Sequence, residues 1–390
     1  MNKLQYILLS ILLSGLLSGC IDEYTPKDVE EMSGLLVVEG MITNDTTIIK
    51  LSKSVGILED ISELTILYNA DVLVETDNGQ TFPATSVSQN GEYIIPIGDL
   101  IPGTQYKLKI KAEGNEYESS PLTPVLTPPI DSIYAYKERD GEPIYVTVST
   151  HKEGSETGYY LWSYNEIWEI NARLNAELLH TTEPIHPDYE GDIFFAGERG
   201  GYIVYYDNID GPYFNEGLNC WGYGRSNSLL LGSSDKLSEN RIINLKLSQY
   251  EPSDYRFSSL YYIKLKQNTL RKETYDYLSN LQKNAESTGD IFGPIPSEMK
   301  GNIVCTTDPS IHVIGYIDVS ITSSMEKFIP RSGSLYEAPY MDCKEIGEWE
   351  DGYAPLYYQE RVGIFYAWKE CLDCRLSRNA TKNRPPFWPR

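Results

Sequence analysis

Cys371, Leu372, Asp373 and Cys374 carry the C-x-x-C spacing, which suits a redox couple, half of a zinc site, or two thiols that bridge to separate partners. Cys220, Cys305 and Cys343 complete the set of cysteines beyond Cys20. An odd set leaves one thiol unpaired, and the order of pairing is open at this level. A redox site of this spacing opens a helix within a βαβ unit, and zinc needs two more soft ligands at fixed spacing. The surrounding sequence offers neither. All five are therefore candidates for structural disulfides, expected to staple a tail from Ser332 to Arg390 that has too little periodicity to hold itself down.

The 4 histidines are His151, His180, His186 and His312. A hydrolytic triad needs one of them beside an activated nucleophile, yet the sequence has no G-x-S-x-G elbow, no H-E-x-x-H pair and no Gly-rich phosphate loop. His312 sits in a strand-like apolar run and reads as a satisfied sheet histidine, whereas His186, near Pro184 and Pro187, reads as an exposed loop residue. With 56 acidic residues, paired carboxylates carry no weight without geometry. Asp207, Asp210 and Glu216 around Gly211 loosely resemble a calcium loop but miss the EF-hand spacing, so a solvated turn is expected. The chain is expected to be no enzyme, with no catalytic residue, no metal and no cofactor.

Two aromatic groups suit binding rather than reaction. Tyr160, Trp162, Tyr164, Glu166 and Trp168 share one parity, so a strand over Tyr159 to Ile170 turns four rings and a carboxylate to one face. Exposed, that face is a stacking platform for a sugar or peptide. Buried, it is a sandwich core with Glu166 as its anomaly, and the core reading is preferred. Further on, Cys220, Trp221, Gly222 and Tyr223 follow a stretch holding Tyr202, Tyr205, Tyr206, Tyr213 and Phe214. Tyr- and Gly-rich loops make adaptable contact surfaces, so Trp221, Tyr223, Tyr205, Tyr206 and Tyr213 are the candidate ligand contacts.

These groups ride on 390 residues, enough for two or three domains at roughly 100 to 200 residues each. The formal net charge of -23 repels phosphate backbones and excludes a nucleic-acid partner. The 31 Tyr point to strand-rich, half-buried surface. From residue 34 to 127 short alternating strands dominate. Tyr106, Leu108, Ile110 and Ala112 alternate with lysines, and Ala70, Val72 and Val74 lead into Asp77, Asn78 and Gly79, a tight-hairpin signal. The order of strand, D-N-G turn, G-E-Y and P-G-T-x-Y-x-L-x-I resembles a transthyretin-like or carboxypeptidase-regulatory-like β-sandwich.

A Pro-rich hinge, Thr123 to Pro129, follows and is expected to end the sheet. Residues 128–390 read as a larger fibronectin-like β domain with strands over Ile144 to Thr150, Tyr159 to Ile170, Arg241 to Ser248 and Tyr255 to Lys266. His180 to Gly200 reads as a polar excursion. One helix is expected near 270–286, where Leu270, Thr274, Tyr277, Leu278, Leu281 and Ala285 form one stripe that ends before Gly289. The fold class is thus mainly β, with one packed helix and a Cys-containing irregular tail.

Residues 1–19 have the form of a signal peptide: Lys3, an apolar run from Tyr6 to Leu17, then Ser18 and Gly19. Leu17, Ser18, Gly19 and Cys20 resemble the bacterial lipobox, in which Cys20 is acylated and becomes the first residue after cleavage. The apolar run is too short to span a bilayer core of roughly 30 Å, so a lipid anchor is expected. Residues 20–33 form an acidic tether holding Asp22, Glu23, Asp28, Glu30 and Glu31. Acid directly after the lipidated Cys resembles the surface-export signal of Bacteroidetes lipoproteins. Asp45-Thr46-Thr47 and Asp131-Ser132-Ile133 resemble the Bacteroidetes O-glycosylation triplet, and equally read as a turn or strand start.

The lipobox, the P-P-I-D-S-I hinge, Y-x-L-W-x-Y-x-E-x-W-E, a helix leading into I-F-G-P-I-P-S-E-M-K-G-N-I, I-G-Y-I and the terminal C-L-D-C-R and P-P-F-W together resemble the domain of unknown function 4249 family. That resemblance implies a Bacteroidetes outer-membrane lipoprotein encoded beside TonB-dependent transporters, and no reaction. The expected role is an accessory or ligand-capturing partner of such a β-barrel transporter, lipid-anchored in the outer membrane at the cell surface. The alternative is a free-standing surface glycan- or peptide-binding lipoprotein.

Overall fold

Alternation decides the first elements. In the strand Tyr106–Ala112, Tyr106, Leu108, Ile110 and Ala112 are buried while the intervening lysines face outward. Lys107 and Lys109 meet acids on the neighbouring strands, Glu118 at 2.6 Å and Glu75 at 2.8 Å, so the outer face is a ladder of cross-strand ion pairs. The hairpin joining Asp71–Thr76 to Thr81–Pro83 turns at Gly79, whose φ of 85° is open to glycine without strain. The Thr76 hydroxyl donates to Asn78 Oδ1 at 2.6 Å and holds that turn.

The structure, a computed structural model, describes residues 34–44, 46–54, 65–154, 156–182, 193–196, 200–205, 218–286, 300–337, 343–377 and 379–389. The signal peptide, Cys20, the acidic tether, Asp45, His186, Tyr206, Asp207, Asp210, Tyr213, Glu216 and Gly289 lie outside the described residues. The chain is mainly β and builds two sandwiches. In the first, a sheet containing Leu36–Thr43, Thr46–Lys53 and Glu92–Pro96 faces one containing Asp71–Thr76, Tyr106–Ala112 and Asn115–Ser119. Between them lie Val38, Ile49, Leu51, Val74, Ile95 and Leu108.

The domain boundary departs from the expected cut at residue 127. Ile303–Cys305 pairs with Asn115–Ser119, and Val313–Gly315 and Val319–Ile321 pair in parallel with Leu36–Thr43. Ile303, Cys305, Ile317 and Val319 therefore complete the first core. Two parallel neighbours require a long crossover, and here the crossover carries most of the second sandwich. The hinge also does more than end a sheet: Val125–Leu126 pairs with Ser320 and Ile321, held to two residues by the prolines on either side.

In the second sandwich the three-stranded sheet of Ile130–Tyr136, Ile144–His151 and Arg241–Tyr250 faces a larger one. The larger sheet centres on Tyr159–Asn171 and Leu260–Thr269. Tyr160, Trp162 and Trp168 are buried between the sheets, as the core reading expects. The strand expected over Tyr255 to Lys266 begins later, at Leu260. Asp254 accepts from the Arg256 backbone N–H at 3.0 Å and winds Tyr255–Phe257 into a 3-10 turn, so alternation there stands for a half-helical step.

The helix Lys272–Glu286 buries Thr274 and Tyr277 and packs the Tyr275 ring at a tilt against Tyr159 and the Tyr277 ring likewise against Tyr316. At its start, fully buried Asp318 accepts from the Thr274 hydroxyl at 2.7 Å and from the backbone N–H groups of Arg271 and Val319 at 2.9 and 2.8 Å. The Arg271 guanidinium pairs with the same carboxylate and donates to the Thr123 carbonyl. Helix, hinge and returning strand are thereby tied to one charge.

The tail is not irregular. Tyr353–Gln359 and Gly363–Trp368 form a hairpin. Its Tyr366 and Ile364 pack on Leu178 and Ile203 of a three-stranded sheet made by Leu178–Thr181, Tyr202–Tyr205 and Ile193–Phe195. The expected polar excursion from His180 to Gly200 thus contributes strands at both ends. Each is too short to show periodicity, and each is stabilised by a partner more than a hundred residues away in sequence. His312 also differs from expectation: it is exposed and precedes the strand Val313–Gly315.

Candidate functional site

Cysteine pairing follows the folded tail. Cys374 bridges Cys220 and Cys371 bridges Cys343, so the two thiols of the C-x-x-C go to separate partners. Cys305, a candidate for a structural disulfide, is instead a free buried thiol in the first core, where it packs as a small apolar residue.

The first bridge closes over the expected binding cluster. Trp221 is only 8 % exposed, packed against Tyr262 and Trp388, because the last residues of the chain fold back beside Cys220–Cys374. Tyr223 remains exposed, but its hydroxyl donates to the Asn383 carbonyl at 2.8 Å. Tyr205 lies in the small sheet with its ring against Phe194, half-buried toward the tail hairpin. Trp221, Tyr223 and Tyr205 therefore do not converge; Tyr206 and Tyr213 lie outside the described residues. The composition of that stretch signalled aromatic contact, and the partner proved to be the chain's own terminus.

Glu166 is the second candidate. It is 5 % exposed and accepts hydroxyl hydrogen bonds from Tyr250 and Tyr261, each at 2.7 Å. Arg256 approaches to 3.8 Å with its guanidinium between the Trp168 and Tyr250 rings. Burial first, and the Glu166 charge second, push both tyrosines well above the ordinary phenol range. Both remain donors, and the arrangement holds a charge in the core. Gly224 lies directly across from Glu166, where a Cβ would collide with the carboxylate. The cluster is structural.

The open site lies elsewhere, at one end of the second sandwich, in a polar cleft of about 430 Å³. His151 ends one strand and Arg241 begins the next, as direct cross-strand partners. On the other side, Asp131 holds His151 Nδ1 with both oxygens, at 2.7 and 2.8 Å. The walls are the segments on either side of Lys152 and of Ser238. They are tied together through Asn240, whose Oδ1 accepts from Ser234 Oγ at 2.5 Å and whose Nδ2 donates to the Glu156 carbonyl at 2.6 Å. The Lys152 backbone N–H donates to the Asn240 carbonyl at 3.0 Å, and its ammonium pairs with Glu156 at 3.0 Å.

The Arg241 guanidinium, in contrast, has no partner among the described residues. Behind the cleft, Tyr160 is buried with its hydroxyl unpaired; burial, then the Asp131 charge, push it up to about 12. Sequence reasoning named His151 only as one of four histidines. The signal it lacked was the pairing of His151 with Arg241 across two strands and the reach of Asp131, at a register shift of the neighbouring strand, to the same imidazole, which local pattern does not contain.

Among the described residues no group of three or more His, Cys, Asp or Glu is placed to hold a metal ion, and no helix is long and apolar enough to cross a membrane. No curated protein matches the chain. The family model that does match runs from residue 21 to residue 326, through both sandwiches and the returning strands, and stops before the disulfide-stapled tail. Spanning well over half of the sequence, that match places the chain in the family described as Domain of unknown function (DUF4249).

Proposed function

We propose that this chain is a non-enzymatic outer-membrane lipoprotein, acylated at Cys20 and displayed at the cell surface, that serves as an accessory or ligand-capturing partner of a TonB-dependent transporter. The observation that carries the reading is the run Leu17-Ser18-Gly19-Cys20 behind an apolar stretch, with acid following at once. Two disulfides between distant cysteines support it, since such bridges persist in oxidising compartments outside the cytosol. Two sandwiches tied at Asp318 suit a scaffold that presents a surface. A free-standing surface glycan- or peptide-binding role is the second reading, favoured by a solvent-open cleft that needs no barrel in order to be filled.

Palmitate labelling of the wild type and of Cys20→Ser, with fractionation and mild-detergent purification, tests both. A labelled, membrane-bound chain that brings down a β-barrel supports the transporter partner. One that is labelled and never brings down a barrel supports the free-standing binder. An unlabelled chain, or a variant that fractionates like wild type, overturns the anchor.

A further inference from the structure

We infer that the cleft between His151 and Arg241 binds a small sugar acid, its carboxylate on the Arg241 guanidinium and a neighbouring hydroxyl on His151 Nε2. His151 and Arg241 are direct partners on adjacent antiparallel strands, so their side chains leave the sheet on the same side, with Cβ atoms about 5 Å apart. Asp131 accepts from His151 Nδ1–H with both oxygens, which fixes the ring and leaves Nε2 as its remaining polar atom, able to hydrogen-bond a hydroxyl.

Arg241 is exposed and its guanidinium is unpartnered among the described residues, in a chain of net charge -23. A free guanidinium fork is shaped for a carboxylate. The fork and the ring nitrogen side by side match a carboxylate with an adjacent hydroxyl. Elsewhere in the lining, Thr157, Ser238, Asp235 and Glu239 offer hydroxyls and carboxylates that suit further hydroxyl groups, and Leu237 is the one large apolar side chain. About 430 Å³ accommodates a molecule of monosaccharide size.

This assignment rests on the ligand-capturing part of the proposed function and is independent of the anchor. The test uses the full chain in mild detergent with ¹³C at histidine Cε1, titrated with D-gluconate, 2-deoxy-D-gluconate and D-glucitol. The resonance lost in His151→Gln is expected to shift saturably with gluconate, and D-glucitol, which lacks the carboxylate, is expected to leave it in place. Arg241→Gln, a change at an exposed position, should weaken gluconate by about tenfold or more. The 2-deoxy acid should bind several-fold more weakly. The inference is overturned if the His151 signal moves no more than that of exposed His312, if Arg241→Gln binds as wild type does, or if the 2-deoxy acid binds equally well. Such a failure leaves the Cys20 result unaffected, and failure at Cys20 leaves the titration unaffected.

Discussion

Replacing Glu166 with Leu removes a buried carboxylate and keeps most of its volume. Two hydrogen bonds to an ionised acceptor disappear, each worth about 1.5–3 kcal/mol. The hydroxyls of Tyr250 and Tyr261 are left unpaired between the sheets, and Arg256 loses its countercharge while still enclosed by the Trp168 and Tyr250 rings. Breaking a buried pair from one side costs about 3–5 kcal/mol, and that is the expected loss. The same logic predicts recovery when the whole cluster is made apolar: Glu166→Leu with Tyr250→Phe, Tyr261→Phe and Arg256→Met should regain at least half of the loss. Urea unfolding followed by tryptophan fluorescence reads this directly, since Trp162 and Trp168 lie in the same core. A single variant within about 1 kcal/mol of wild type, or a fourfold variant no more stable than the single one, refutes the reasoning.

The bridge Cys220–Cys374 spans 154 residues and Cys343–Cys371 spans 28. Chain entropy then assigns about 5 and about 3.5 kcal/mol to them as upper values. Cys374→Ser should also release the terminal segment from Trp221, seen as a red-shifted, more quenchable fluorescence, whereas Cys343→Ser should leave Trp221 covered. Asp318→Ala strands Arg271 and Thr274 beside a buried gap. It should cost about 3–5 kcal/mol in urea unfolding and open the joint between the sandwiches to limited proteolysis. Acid should weaken the first sandwich through its outer face. Hydrogen bonds from Lys109 and Lys107 hold the Glu75 and Glu118 carboxyls below the ordinary range. Their contribution is complete above the unfolded carboxylate pKa and is lost as pH falls through the lowered values. Lys107→Met with Lys109→Met should therefore flatten the acid limb of the stability profile, as read by urea midpoints from pH 6 down to about pH 3.

Much of the fold is legible locally. The period of two in Tyr106–Ala112, the Asn78-Gly79 turn, the shared parity of Tyr160, Trp162 and Trp168, and the stripe of the helix Lys272–Glu286 all follow from which side of an element meets water. The same reasoning read Tyr255–Phe257 as strand, because three residues with apolar ends satisfy a 3-10 turn as well as a pleat. It also read the Tyr- and Gly-rich run ending at Tyr223 as a contact surface without identifying the partner. The tail hairpin escaped notice because six or seven residues with few charges show no period of their own.

Which residues line a strand's buried face, where a turn falls, and that a lone thiol must be left over were determined by the sequence by itself, because each depends on neighbours a few positions away. The partners were decided only in three dimensions. Ile303–Cys305 and Val319–Ile321 return to the first sandwich, Cys374 selects Cys220, and Asp131 and Arg241 are brought to His151 from the strands on either side. Closing a long loop costs little more entropy than closing a short one, so sequence distance barely biases these choices. They are made by the fit of apolar faces and by buried hydrogen-bonding groups that must find partners, properties of surfaces that exist only once the strands have assembled.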